Sequence, residues 1–384
     1  MQFEFATATR IIFGEGSFSK IGSLSAEVGR RAFVATGLDR PRGEAIHDIL
    51  LSAKVDCVLF PVQGEPTVEL IYSGIALAQQ SECDMVIGFG GGSAIDCGKA
   101  IAALLSNPGL VLDYLEVIGR GKPIVERPAP LIAIPTTSGT GAEVTRNAVL
   151  GSPQHKMKVS LRSPLMLPRL ALVDPELTYS LPPSITASTG LDALTQLIEP
   201  FVCNQTNPIT DAICREGLRH AAHSLRTAFD RGDDPAARRG MSLASLMGGL
   251  ALANARLGAV HGFASPLGGM LPAPHGAVCA RLLPLVMEVN LRGLRQRLPG
   301  SEIIQRYEEI SRILKDRADA TAEDGVAWVR ELCEHFFIPG LAAYGLTHKE
   351  LPELIENSAK ASSMKGNPVI LTQGEMEEIL TRAM

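Results

Sequence analysis

Four side chains in the second half of the chain have the types and spacing of a divalent-metal site. Asp192 and Gln196 lie four apart in Gly190-Leu-Asp192-Ala-Leu-Thr-Gln196, and His261 and His275 flank a Gly/Pro-rich stretch that ends in Pro-Ala-Pro-His275-Gly. Positions i and i+4 of a helix share one face, so the carboxylate and the amide would project together and the two imidazoles would close the other side of a coordination sphere. A carboxylate with two imidazoles suits zinc or ferrous iron (Zn2+ or Fe2+), whereas a glutamine oxygen is a much weaker donor to either. The acidic segment reads as a helix start, where the helix dipole alone would also favour an aspartate, and the stretch between the histidines reads as a turn. His220 and His223 lie three apart without an acidic or cysteine partner and read as a solvated helix face.

A second chemical signal lies upstream. Gly90-Gly91-Gly92-Ser93-Ala-Ile-Asp96-Cys-Gly-Lys99 follows the apolar run Met85–Phe89 and opens a helical pattern. Consecutive glycines let backbone N–H groups approach phosphate oxygens, and the positive end of the following helix stabilises their charge. Another polar turn, Pro135-Thr136-Thr137-Ser138-Gly139-Thr140-Gly141, follows the next apolar run and offers hydroxyls. The glycine pattern matches neither GxGxxG nor a Walker A loop, so a dinucleotide site of a different lineage is expected.

Positioning these groups falls to two kinds of element. Short β-branched runs at 31–36, 55–60, 85–89, 131–134 and 170–173 alternate with helical patterns at 43–52 and 67–80, which predicts a parallel, doubly wound α/β sheet. After Leu181, Pro182-Pro183 punctuates the chain and long helical patterns follow, among them 238–257, with Ser184 or Ser188 available as a cap. The expected division is an α/β nucleotide-binding domain over 1–181 and an all-α metal and substrate domain over 182–384.

The 384 residues are 46% hydrophobic and carry a net charge of −5, which suits a large buried core and gives no electrostatic reason to expect nucleic acid or an anionic membrane as partner. Seven cysteines, an odd number without a CxxC pair, argue against a disulfide framework and a thiolate zinc site and favour a reducing cytoplasm. Neither a signal peptide nor a membrane-spanning stretch is predicted.

Taken in order, Gly90-Gly-Gly-Ser93-x-x-Asp96, Thr136-Thr-x-Gly-Thr140, Val173-Asp174-Pro175 with Leu181-Pro182, Gly190-x-Asp192-Ala-Leu and His261-x13-His275-Gly276 resemble the iron-containing (group III) alcohol dehydrogenase family over nearly the whole chain. The resemblance implies a dehydroquinate synthase-like architecture: a Rossmann-like N-terminal domain, a helical C-terminal domain, and NAD(P) exchanging hydride with an alcohol or aldehyde held at a divalent metal. Asp192, His261 and His275 fall on metal ligands of catalytic consequence. Gly91, Gly92, Ser93, Thr136 and Thr137 fall on cofactor contacts and Lys158 near one, and Gly37 and Asp96 complete the expected cofactor set.

The chain departs from the family pattern at Gln196, usually a histidine ligand, and at Ser265, usually a histidine beside the nicotinamide. Related glycerol dehydrogenases hold zinc with one aspartate and two histidines, so three ligands with Gln196 or water filling in remain chemically reasonable. At Ser265 the proton would leave through water, the serine hydroxyl or the cofactor ribose. The first nucleotide-binding strand ends Val34-Ala-Thr-Gly37-Leu-Asp39-Arg40; without the usual aspartate, Arg40 or Arg42 could pair with a 2′-phosphate and admit NADP, while Asp39 keeps NAD in play. Two other readings stand beside this one: a metal-free reductase resembling maleylacetate reductases or a lyase resembling dehydroquinate synthases, and a non-catalytic nucleotide-binding protein. Phe201, Phe263, Met270 and a turn at 147–150 are expected to line a site for a small alcohol or aldehyde, and an apolar N-terminal strand pair over 5–13 suggests a homodimer.

Overall fold

A computed structural model describes residues 2–37, 39–155 and 157–384. The chain divides into two compact units: an α/β unit of Thr7–Thr137 and Gly141–Thr178, and a helical unit of Met1–Ala6, Ser138–Thr140 and Tyr179–Met384.

In the α/β unit, strands β1 (Arg10–Phe13), β2 (Arg31–Thr36), β3 (Asp56–Pro61), β4 (Met85–Gly90), β5 (Leu131–Pro135) and β8 (Leu170–Val173) form one parallel sheet in the order β1-β8-β5-β4-β2-β3. Helices α1 (Ile21–Ala26), α2 (Arg40–Ser52), α3 (Val68–Gln80), α4 (Gly92–Ser106) and α5 (Val111–Tyr114) accompany it. Because side chains alternate across a strand, Phe33 and Ala35 of β2 join a core with α3 and α4, while Ala32 and Val34 join another with α1 and α2. Burial on both faces is why β2, β4, β5 and β8 read as continuous apolar runs. Thr67 caps α3 by accepting from the Leu70 N–H at 3.2 Å. The Asp174 carboxylate after β8 accepts N–H bonds from Gly16, Phe18 and Glu176, tying the sheet end to the turn that follows β1.

Two expectations are corrected here. Residues 147–150 are not a turn: β6 (Asn147–Ser152) pairs antiparallel with β7 (Met157–Arg162), and its burial alternates with Ala148, Leu150 and Ser152 inward, a period too short in sequence to stand out. The N-terminal segment is not a strand pair either; only Arg10–Phe13 is a strand, and it pairs within the chain with β8.

The helical unit comprises α6 (Pro183–Val202), α7 (Pro208–Asp230), α8 (Pro235–Asn254), α9 (Ala259–Met270), α10 (His275–Arg297), α11 (Glu302–Lys315), α12 (Ala322–His335), α13 (Leu351–Lys360) and α14 (Gln373–Ala383) around one apolar core. Asn207 and Asp234 cap α7 and α8 ahead of a proline in the first turn, and Thr321/Asp324 and Thr372/Glu375 form capping boxes. Neither Ser184 nor Ser188 caps α6, which starts from Pro182 without a side-chain cap. Phe201 and Phe263 are core residues rather than substrate-lining ones. Both are fully buried, and the Phe201 ring is flanked by the Arg215 and Arg306 guanidiniums at 4.9 and 5.0 Å from its centre. Among the described residues no single helix is long and apolar enough to cross a membrane.

Candidate metal centre and phosphate turn

Three helices bring the metal candidates together. Asp192 lies in the buried middle of α6, not at a helix start. His261 belongs to the first turn of α9, and the Gly/Pro stretch after it continues as helix to Met270 despite Pro266, so most of it is not a turn. His275 opens α10, where Pro274 ends the extended approach. A Cβ on Gly276 would collide with the Ser188 carbonyl of α6, so glycine is what lets α10 approach closely enough to set His275 beside Asp192.

The donors converge. Asp192 Oδ1 lies 3.4 Å from His261 Nε2 and 3.9 Å from His275 Nε2. A residue outside the expected set joins them: the buried Cys279 Sγ lies 3.6 Å from His275 Nε2 and 4.0 Å from His261 Nε2. The ligand atoms of Asp192, His261, His275 and Cys279 all fall within 4.8 Å of one another. Asp192 Oδ1 is buried and has no hydrogen-bond partner, an expensive state unless a cation faces it.

A second layer fixes this arrangement. Glu199 Oε2 sits 2.7 Å from His261 Nδ1, and because a carboxylate only accepts, Nδ1 carries a proton and Nε2 is the ring nitrogen that faces the cluster. The other Glu199 oxygen accepts from the Val260 N–H at 2.7 Å, and Asn367 Oδ1 accepts from Ala259, so two remote side chains cap α9. Gln196 points its amide nitrogen at Asp192 Oδ2, 3.2 Å away, and its oxygen has no partner. Ser265 is exposed one turn beyond His261 on α9. His220 is paired at 3.5 Å with Glu216 on its own helix, and His223 is exposed.

Charge coupling dominates the titration of the cluster. Burial pushes the Asp192 carboxyl up, but the neighbouring His261 and His275 imidazoles outweigh it and hold it below the usual carboxylate range. His261 is pulled well above the ordinary imidazole value although burial opposes this, through the negative charges of Cys279, Asp192 and Glu199. His275 is raised chiefly by the Cys279 charge. A carboxylate, two imidazoles and a thiol whose ligand atoms lie this close form a donor set suited to a divalent cation.

The glycine turn, a candidate phosphate site, is built from backbone. β4 ends at Gly90 with φ +155°, Gly91 precedes the first turn of α4, and Gly92 and Ser93 open that helix, leaving its first N–H groups without intrahelical acceptors. A Cβ on Gly90 would stand 2.8 Å from the Ala94 Cβ and 3.3 Å from the Gly37 nitrogen, filling the hollow between the ends of β2 and β4. Thr136 continues β5 by donating its N–H to the Gly90 carbonyl, and Thr137 lies beside Gly91.

The remaining cofactor candidates have protein partners. Asp96 accepts from the Val149 N–H at 3.0 Å and lies 3.7 Å from Lys99 Nζ, and burial pushes its carboxyl up to about 6. Lys99, buried, donates to Thr145 Oγ1 and the Asn147 carbonyl, so this pair anchors β6 to α4. Lys158 of β7 forms an ion pair with Glu65. Beyond β2, Asp39 caps α2 and pairs with Arg42 Nε at 3.1 Å; the side chain of Arg40 lies outside the described residues.

A parallel α/β unit with a glycine turn at a strand end is joined in sequence to a helical unit with a carboxylate–imidazole cluster. Residues 8–175 match the profile of the iron-containing alcohol dehydrogenases, and residues 186–384 match that of the C-terminal region of the Fe-containing alcohol dehydrogenase family. The chain is 34% identical over 370 residues to a choline dehydrogenase of Bacillus subtilis, covering 95% of this chain and 90% of that protein. It is 29% identical over 388 residues to an NAD-dependent methanol dehydrogenase of Bacillus methanolicus, covering 97% of each. Among solved structures, an alcohol dehydrogenase from Oenococcus oeni superposes with a TM-score of 0.91 at 30% identity over all of both chains. The chain belongs to the iron-containing alcohol dehydrogenase family.

Proposed function

We propose that this protein is an NAD-dependent alcohol dehydrogenase that interconverts a small alcohol and its aldehyde at a divalent metal held by Asp192, His261 and His275. The observation that carries the reading is the convergence of donors from three helices, all but His275 buried, around a carboxylate oxygen without a hydrogen-bond partner. Held by these residues, a divalent cation would supply Lewis acidity that lowers the pKa of an alcohol and makes hydride departure accessible near neutral pH. Glu199 orients His261, and Gln196 steadies the second oxygen of Asp192, so both imidazole and carboxylate are held before any ion arrives. Ser265, where the family usually has histidine, offers only a hydroxyl, which leaves water, that hydroxyl or the cofactor ribose to carry the proton and predicts a weak pH switch in turnover.

The Gly90–Gly92 turn and the start of α4 would bind the cofactor diphosphate, and Thr136 and Thr137 offer hydroxyls beside it. NAD is preferred over NADP because Arg42, a candidate for a 2′-phosphate, is engaged by the Asp39 carboxylate. The donor convergence favours this reading over a metal-free reductase and over a non-catalytic nucleotide-binding protein. Seven free thiols support a cytoplasmic site of action, and β1, at the edge of the sheet, supports a homodimer.

The test is NADH formation by metal-supplemented protein with choline, methanol and a series of small primary alcohols and diols. Turnover of at least one of these with NAD, and weaker use of NADP, is expected. No cofactor reduction with any of them, and no aldehyde reduction in reverse, would contradict the proposal.

A further inference from the structure

We propose that Cys279 is a metal ligand, and that an Asp192–His261–His275–Cys279 set makes this centre select zinc over ferrous iron. The inference rests on the metal reading above and adds a donor that the family pattern does not supply.

The donor spacing fits one tetrahedral ion. Zinc bonds of about 2.0 Å to nitrogen and oxygen and about 2.3 Å to sulfur put tetrahedral neighbours about 3.3 Å apart for nitrogen and oxygen and about 3.5 Å apart for nitrogen and sulfur. The observed separations are 3.4 and 3.9 Å from Asp192 Oδ1 to the two imidazoles, and 3.6 and 4.0 Å from the Cys279 sulfur to the same nitrogens. Cys279 follows His275 by four residues on α10, so one helix face presents both.

Gln196 is turned to a different task. Its nitrogen faces Asp192 Oδ2, leaving Oδ1 as the carboxylate atom offered to the cluster, and this nitrogen is not a donor to metals. The sulfur of Cys279 is also set apart from those of other buried cysteines. Cys203 and Cys333 donate to the carbonyls of Gln205 and Ala280 at 3.0 and 3.2 Å, whereas Cys279 faces two imidazole nitrogens beside an unpartnered carboxylate oxygen. A soft thiolate with borderline imidazoles suits zinc. Two anionic donors also balance the ion's charge, and substrate would join as a further ligand, an expansion that zinc tolerates.

Cobalt(II) reports directly on sulfur ligation. Metal-stripped protein titrated with Co(II) is expected to develop an intense thiolate-to-cobalt charge-transfer band in the near ultraviolet that saturates at one ion per chain. Cys279→Ser should lose that band while keeping the weaker cobalt d–d bands and the circular dichroism of the folded chain, and its zinc affinity should fall by about tenfold or more. Stoichiometric cobalt with d–d bands but no charge-transfer band would overturn the inference and leave the metal reading standing. A band that persists in Cys279→Ser would assign the sulfur elsewhere and overturn it too. No cobalt binding at all would bring down both.

Discussion

In the α/β unit the candidate site is backbone: a strand ends, three glycines turn, a helix begins, and the groups that would meet a phosphate are main-chain N–H groups a few residues apart. In the helical unit the candidate site is side chains, drawn from three helices and held by a carboxylate and amides from still other positions. The first depends on local conformation, the second on tertiary packing. The two should therefore fail differently, the turn through cofactor affinity with the metal centre intact, the cluster through metal loss with the cofactor still bound.

The largest effect expected is from Asp192→Ala. Removing the carboxylate that faces both imidazoles should abolish stoichiometric metal and lower kcat by about 10³-fold or more, the scale of several kcal/mol of Lewis-acid stabilisation. Fluorescence titration should show NAD binding within a few-fold of the parent. If metal content survives, the cluster is not the metal site.

Glu199→Gln comes next. It keeps a hydrogen-bond acceptor for α9 but loses the charge that polarises His261, and metal affinity should fall about 10- to 100-fold. Chelator competition reads this directly, and an unchanged affinity would show that Glu199 only caps the helix.

Gly90→Ala tests the other side of the comparison. At φ +155°, with Ala94 in the way, an added Cβ costs about 1–3 kcal/mol, and the Michaelis constant for NAD should rise about tenfold while metal content stays at the parent level. A normal Michaelis constant would remove the turn from the cofactor site.

The smallest effect is on stability against pH in the α/β unit. Burial pushes Glu143 from the ordinary 4.5 up to about 7, although Lys99 pulls the other way. The folded state then keeps a proton that the unfolded chain has released, so this contribution is fullest below pH 4.5 and is lost as pH rises to about 7. Melting temperatures across that window should fall less steeply in Glu143→Gln, and identical slopes would refute the assignment.

The same contrast explains what the sequence reveals. Strands β2, β4, β5 and β8 and the glycine turn are legible because burial on both faces and a strand–glycine–helix junction leave contiguous marks in the chain. Asp192, His261 and His275 stand out by type and spacing, yet reading Asp192 as a helix start misses that α6 runs on from Pro183. Cys279 escapes a search for paired cysteines because its partner in spacing is His275, four residues before it on α10. Glu199 escapes because its role exists only once α6 lies against α9. The β6–β7 hairpin is missed for a related reason, since Lys99 and Asp96 of α4 anchor it from a distant part of the chain.

The central claim, that hydride chemistry here depends on an ion at the Asp192 cluster, is tested most directly by stripping the protein of metal and titrating zinc and ferrous iron back while recording NADH formation and bound metal together. The account predicts negligible turnover without metal and activity that rises in proportion to bound ion and levels off at one per chain. Full turnover by metal-free protein would contradict it.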